Sequence, residues 1–89
     1  MAWEIRLSEK AKKTLASLDK IAAHRIEKFL WSRLAEHPAP AAIAEPLEGS
    51  ELGAFMRWRV GDYRIIGKIE DDIFLILVVK IGHRREIYR

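Results

Sequence analysis

The stretch Gly82-His83-Arg84-Arg85-Glu86-Ile87-Tyr88-Arg89 brings an imidazole, three guanidiniums and a phenol close together. These groups suit phosphodiester chemistry. Cleaving RNA through its own 2′-hydroxyl without a metal needs a base to deprotonate that hydroxyl. It also needs cations to stabilise the extra negative charge on phosphorus, and an acid to protonate the leaving 5′-oxygen. Arginine suits the middle role, because its planar fork binds phosphate oxygens bidentately and stays charged. His83, with a reference pKa of about 6.5, could act as acid or base. Tyr88, with a reference value of about 10, needs neighbouring guanidiniums to act as a base. It could also stack on a nucleobase. Taken singly, none of these signals is specific, since charge runs near a terminus and a lone histidine are most often solvated surface.

A second group of cations lies upstream: Arg57, Arg59, Arg64, Lys68 and Lys80. If Val60-Gly61 is a two-residue turn, Arg59 opposes Asp62, Trp58 opposes Tyr63 and Arg57 opposes Arg64. Like charges directly opposed destabilise a sheet, so Arg57 facing Arg64 calls for an anion between them or solvent on both sides. The net charge of +3 has the same location. Residues 1–54 carry eight basic and eight acidic side chains, whereas residues 55–89 carry eight basic and five acidic. Such asymmetry hints at an anionic partner and says nothing about fold.

Composition bounds what must position these groups. A chain of 89 residues, 49% hydrophobic and 33% charged, is expected to form a single globular domain, residues 1–89. It has no cysteine, and His24, His37 and His83 are scattered, so no metal or other cofactor is expected. Met1 to Arg6 lack a signal-peptide core, and the apolar run Ile73–Val79 is far short of the roughly 20 residues that span a bilayer. The expectation is a soluble, cytoplasmic protein with no membrane partner.

Trp3 to Leu7 alternates with period 2 and reads as a strand with Trp3, Ile5 and Leu7 facing the core. Ser8 is placed to cap a helix carrying Ala11, Leu15 and Leu18. Asp19 is placed to cap a second helix, with Ile21, Ile26, Phe29, Leu30 and Leu34 as its apolar face. Together they predict a helical hairpin over residues 9–36. All three prolines fall between His37 and Pro46, which excludes a helix or central strand there. Phe55–Arg59, Asp62–Ile69 and Ile73–Ile81 then read as strands punctuated at Val60-Gly61 and Asp71-Asp72, followed by a short segment, Glu86–Tyr88. The predicted fold is α+β in two layers, β-α-α-β-β-β, a mainly antiparallel sheet with the helical hairpin on one face.

The segments Trp58-Arg59-Val60-Gly61-Asp62-Tyr63-Arg64-Ile65-Ile66 and Lys80-Ile81-Gly82-His83-Arg84-Arg85-Glu86-Ile87-Tyr88 resemble the RelE branch of the RelE/ParE toxin superfamily. Glu45-Pro46-Leu47-Glu48-Gly49 is similar to the family's Pro-Leu-x-Gly lead-in to the second strand, and Leu15 to Asp19 matches an early Leu-x-x-Leu-Asp. The resemblance implies a type II toxin that cuts mRNA in the ribosomal A site, leaving a 2′,3′-cyclic phosphate. It implies as partners the ribosome, mRNA and a RelB-like antitoxin that neutralises the toxin, with a toxin–antitoxin heterotetramer as one assembly. The alternative within the superfamily is a ParE-like inhibitor of DNA gyrase that cuts no RNA.

By position in that pattern, Arg64 matches a phosphate-binding arginine. Arg84 matches one that stabilises the transition state or assists the leaving group. Tyr88 matches a tyrosine that orients or deprotonates the 2′-hydroxyl or stacks on a base. With His83 these form the expected catalytic set, and Arg57, Arg59, Lys68, Lys80 and Arg85 the expected RNA-binding set. Two departures stand out. Phe55 and Arg57 occupy positions where the best-known member has two lysines, and His83 occupies a lysine position.

Overall fold

The computed structural model describes residues 2–47 and 55–87. Strand β1 (Glu4–Leu7) leads into helix α1 (Glu9–Ser17) and helix α2 (Lys20–Lys28). A proline-rich link follows, then β2 (Glu45–Pro46), β3 (Phe55–Val60), β4 (Tyr63–Glu70), β5 (Leu75–His83) and the short helix α3 (Arg84–Ile87). The five strands form one sheet in the order β1-β5-β4-β3-β2. β1 runs parallel to β5, and the other neighbours are antiparallel. The architecture is the α+β fold expected from the sequence, with a two-residue edge strand and a terminal helical turn added.

Ser8 caps α1 as expected. Its Oγ accepts the Ala11 N–H at 3.1 Å and donates to the Val79 carbonyl at 3.0 Å, fastening the helix start to the central strand. Asp19 occupies the N-cap position of α2 but makes no capping hydrogen bond with its side chain. Beyond Lys28 the helix continues through a π-helical turn, Phe29–Leu34, in which the Ala35 N–H reaches the Leu30 carbonyl five residues back at 3.0 Å. The buried stripe is Ala22, Ile26, Leu30 and Leu34. Ile21, expected on that stripe, is 74% exposed because it lies about 140° around the helix from Ile26.

The helices cover one face of the sheet. Ile26, Leu30 and Leu34 form a single cluster with Trp58, Ile65, Ile76, Val78 and Ile81. Trp3 joins that cluster, whereas Trp31 stays 48% exposed. The proline-rich link contains a short 3₁₀ turn, Pro40–Ile43, with proline at its start where the missing N–H costs nothing. The buried Trp58 Nε1–H donates to the Pro40 carbonyl at 3.1 Å, so the link is tied to the core.

Two turns differ from expectation. The β3–β4 loop is Gly61-Asp62, one residue later than the expected Val60-Gly61, and Val60 pairs with Tyr63. Gly61 has φ of 59°, the positive value that a II′ hairpin assigns to its first loop position and that glycine adopts without strain. The β4–β5 connection is longer than Asp71-Asp72: a 3₁₀ turn (Asp71–Ile73) and Phe74 in a left-handed conformation precede β5. Ile73 and Phe74 are therefore exposed loop residues instead of the start of the strand.

β5 lies inside the sheet, between β1 and β4, but its two faces are not equally covered. Ile76 and Val78 face the core, and so does Ile81, three residues further on. The phase change is a bulge. Ile66 pairs with Lys80 and Gly67 pairs with Val78, so Val79 is the extra residue.

Candidate functional site

The shifted turn rearranges the cations. Arg59 pairs with Arg64, and Arg57 pairs with Ile66, instead of Arg59 with Asp62 and Arg57 with Arg64. The slip moves each partner by two residues, which preserves side-chain parity, so Arg57, Arg59 and Arg64 still share a face. Trp58 and Ile65 point to the helices, which puts the three arginines on the opposite side. The bulge brings Lys80 onto that side as well, since Lys80 pairs with Ile66 in the row of Arg57. Four cations from β3, β4 and β5 thus converge on one sheet face.

Arg64 is 8% exposed, unusual for an ionised side chain. Its Nη1 donates to the carbonyls of Gly61 and Tyr63, both at 2.9 Å, so the guanidinium closes the hairpin turn from one side. Its Nε is buried and has no hydrogen-bond partner among the described residues. Gly82 pairs with Arg64 across β4–β5. A methyl group at Gly82 would lie 3.3 Å from the Ile87 Cδ1, so the absent side chain lets α3 fold back beside the arginine.

Arg57 and Arg59 share a counter-ion. Glu45, on the edge strand β2, pairs with Arg57 and accepts from its Nη2 at 2.6 Å. The other carboxylate oxygen lies 2.7 Å from the Arg59 Nε. The Arg57 hydrogen bond, more than any other contact, holds the Glu45 carboxyl below the usual glutamate range, with the charges of both arginines adding to it. In the sequence Glu45 belonged only to the strand lead-in, and no local signal marked its contact with arginines twelve and fourteen residues away.

The other expected site residues are more dispersed. His83 ends β5 on the helix side of the sheet, paired with Tyr63, the two rings edge to face with centroids 5.6 Å apart. Its Nδ1 accepts the Arg85 N–H at 3.2 Å, which leaves Nε2 as the protonated nitrogen of the neutral ring. Arg84 begins α3. Its N–H donates to the Asp62 carbonyl at 2.8 Å, and its Nε lies 3.8 Å from the Asp62 carboxylate. Arg85 is exposed on the same turn. Lys68 lies at the far end of the arginine face, paired with Glu70 at 3.2 Å. Tyr88 lies outside the described residues, as do Arg89 and Glu48-Gly49 of the lead-in.

On the helical side, a hollow lies between the outer surface of α2 and Val60. Phe29 and Val60 supply apolar walls, and Arg25, Lys28 and Arg33 ring it with positive charge. No described helix is long and apolar enough to cross a membrane.

Comparison with known proteins places this arrangement. Residues 5–88 match a family model described as the ParE toxin of the type II toxin–antitoxin system parDE. Toxin RelG of Mycobacterium tuberculosis is 26% identical over 89 residues, covering 100% of this chain and 99% of that protein. The toxin–antitoxin complex RelBE2 from Mycobacterium tuberculosis superposes with a TM-score of 0.84 at 21% identity, over 94% of this chain and 100% of that one. The archaeal RelE–RelB complex from Pyrococcus horikoshii gives 0.74 at 28% identity, over 97% and 99%. The isolated RelE toxin of E. coli gives 0.71 at 21% identity, over 98% and 92%.

Proposed function

The chain belongs to the ParE toxin family, within the RelE/ParE superfamily of type II toxins, and on that premise we propose that it is a ribosome-dependent endoribonuclease. The observation that carries this reading is the cation cluster of Arg57, Arg59, Arg64 and Lys80 on one sheet face, with a buried Arg64 Nε that no described residue satisfies. A buried guanidinium with an unmet donor suits a phosphate oxygen, and a gyrase-binding surface has no need of one.

In the proposed reaction the 2′-oxygen attacks phosphorus, forming the O2′–P bond as the P–O5′ bond breaks. The products are a 2′,3′-cyclic phosphate and a free 5′-hydroxyl. One proton leaves the 2′-hydroxyl and one is delivered to the 5′-oxygen. Arg64 and Arg84 stabilise the charge that builds on the phosphoryl oxygens. Tyr88 is the proposed partner of the 2′-hydroxyl. His83 faces the helix side of the sheet, away from the arginine cluster, so Arg84 is the proposed group that assists the leaving 5′-oxygen. Lys68 and Arg85 assist docking on ribosomal RNA in the cytoplasm.

The partner in this reading is a cognate antitoxin. The superposable RelBE2 and RelE–RelB structures are toxin–antitoxin complexes. The hollow between α2 and Val60, apolar inside and ringed by Arg25, Lys28 and Arg33, suits an acidic amphipathic segment that folds on binding. A heterotetramer of two toxins and two antitoxins is the assembly proposed.

Induced expression tests the nuclease reading. Arg64→Ala, Arg84→Ala and Tyr88→Phe are each expected to relieve growth arrest while the antitoxin still binds. Primer extension should show codon-spaced mRNA cuts only with the wild type. Wild-type toxicity of all three variants would overturn the assignment. The name of the matching family model favours a second reading, inhibition of DNA gyrase. Accumulated gyrase–DNA cleavage complexes with intact mRNA would establish that one instead.

A further inference from the structure

The pairing of Glu45 with Arg57 and Arg59 is more than a surface ion pair. The carboxylate bridges two arginines of one strand from a neighbouring strand: Oε2 lies 2.6 Å from the Arg57 Nη2 and 3.4 Å from the Arg59 Nη2, and Oε1 lies 2.7 Å from the Arg59 Nε. A carboxylate held by two guanidiniums in this way takes the position and charge of a phosphodiester's two non-bridging oxygens. The group is accessible, since the Glu45 and Arg59 side chains are 45% and 59% exposed. β2, which supplies Glu45, is a two-residue strand ending in Pro46, and among the described residues its one partner strand is β3. A short edge strand can move without disturbing the core.

We propose that Arg57 and Arg59 form a phosphodiester subsite that Glu45 fills in the free protein, and that an RNA phosphate binds there by displacing the carboxylate. This rests on the nuclease reading for the identity of the ligand, but the exchange itself needs only an anion. It gives the face selectivity. A lone phosphate gains two guanidiniums but must release Glu45 from the same pair, so its net gain is small. A strand that also reaches the Arg64 Nε and Lys80 gains contacts for which no carboxylate among the described residues competes. The subsite therefore favours polyanions over small anions.

The test measures binding by the full-length chain of two probes, inorganic pyrophosphate and a 2′-O-methyl oligoribonucleotide that cannot be cleaved. Glu45→Gln is expected to tighten both by roughly 1.5-fold to fivefold. Glu27→Gln, which makes the same charge change on α2, should leave both unchanged. In the wild type, the Arg59 Nε–H resonance should shift as pyrophosphate replaces the carboxylate. Unchanged or weaker binding by Glu45→Gln would overturn displacement, and so would an equal gain in Glu27→Gln, since net charge alone would then explain it. If pyrophosphate binding tightens but no mRNA is cut in cells, the exchange stands and the nuclease reading fails.

Discussion

Arg59 stands directly across from Arg64 on the neighbouring antiparallel strand, so two like charges face each other on one side of the sheet. Such a pair is destabilising, and the ion pair from Glu45 to Arg59 offsets it on a half-exposed surface where such contacts contribute little. Arg59→Ala is therefore expected to leave unfolding free energy within about 0.5 kcal/mol of the wild type. The same variant should weaken binding of single-stranded RNA and reduce its salt slope by about 0.7. Urea titration and fluorescence anisotropy would measure the two effects separately, and a large loss of stability would show that Arg59 is a scaffold residue.

Glu45 makes the fold sensitive to acid. Its pKa is lowered in the folded protein, chiefly by the hydrogen bond from Arg57. The folded state therefore binds this proton less readily than the unfolded chain. The resulting stability is fully present above the ordinary glutamate pKa and fades as pH falls through the lowered folded value. Tm followed from about pH 6 to about pH 3 should fall more steeply for the wild type than for Glu45→Gln. Parallel curves would exclude the Arg57 contact as the source.

Gly67 sits at the bulge where no side chain fits. A Cβ there would come within 2.8 Å of the Leu77 carbonyl oxygen and 3.2 Å of the Trp58 ring. The first clash is with backbone and cannot be relieved by a rotamer change. Gly67→Ala should destabilise by about 1–3 kcal/mol despite the entropy it removes from the unfolded chain. A lowered urea midpoint at unchanged m is the expected result.

Trp58 anchors the proline-rich link through its indole N–H. Trp58→Phe keeps an aromatic ring in the core but leaves the Pro40 carbonyl without that donor. A loss of about 1–3 kcal/mol is expected. Amide exchange should rise at Ala42 and Ala44, whose N–H groups close the 3₁₀ turn. Protection unchanged at both positions would show that the link is held by something else.

The parts of the fold legible in the sequence were those governed by local pattern. β1, α1 and the three long strands follow from period and composition, and the Ser8 cap from one hydroxyl before a helix. The hairpin turn came out one residue early because Gly61 fits either loop position, and only the φ of the folded chain decides between them. The π-helical turn left no mark, since Ile26, Leu30 and Leu34 have the same spacing in an ordinary helix. At the site, the arginines on β3 and β4 were visible as a shared face because parity survives the slip. Glu45 was not visible as their counter-ion, because its partners lie beyond the proline-rich link. The position of His83 on the helix side depends on the bulge, which an unbroken apolar run cannot signal.

That bulge splices two out-of-phase half-strands into one. Counting by twos from Ile76 and Val78 would send Lys80 into the oily interior and turn Ile81 outward. The added Val79 reverses the count. Upstream of it β5 is scaffold, and downstream it alternates in the opposite sense, with Lys80 and Gly82 on the arginine side. Deleting Val79 would leave a regular strand with the same residues on each side, whereas keeping Val79 and ironing out the bulge would bury the Lys80 ammonium group and turn Ile81 outward. The division of labour along this strand thus hangs on one residue being left out of the pairing, and the identity of that residue matters far less than its exclusion from the count.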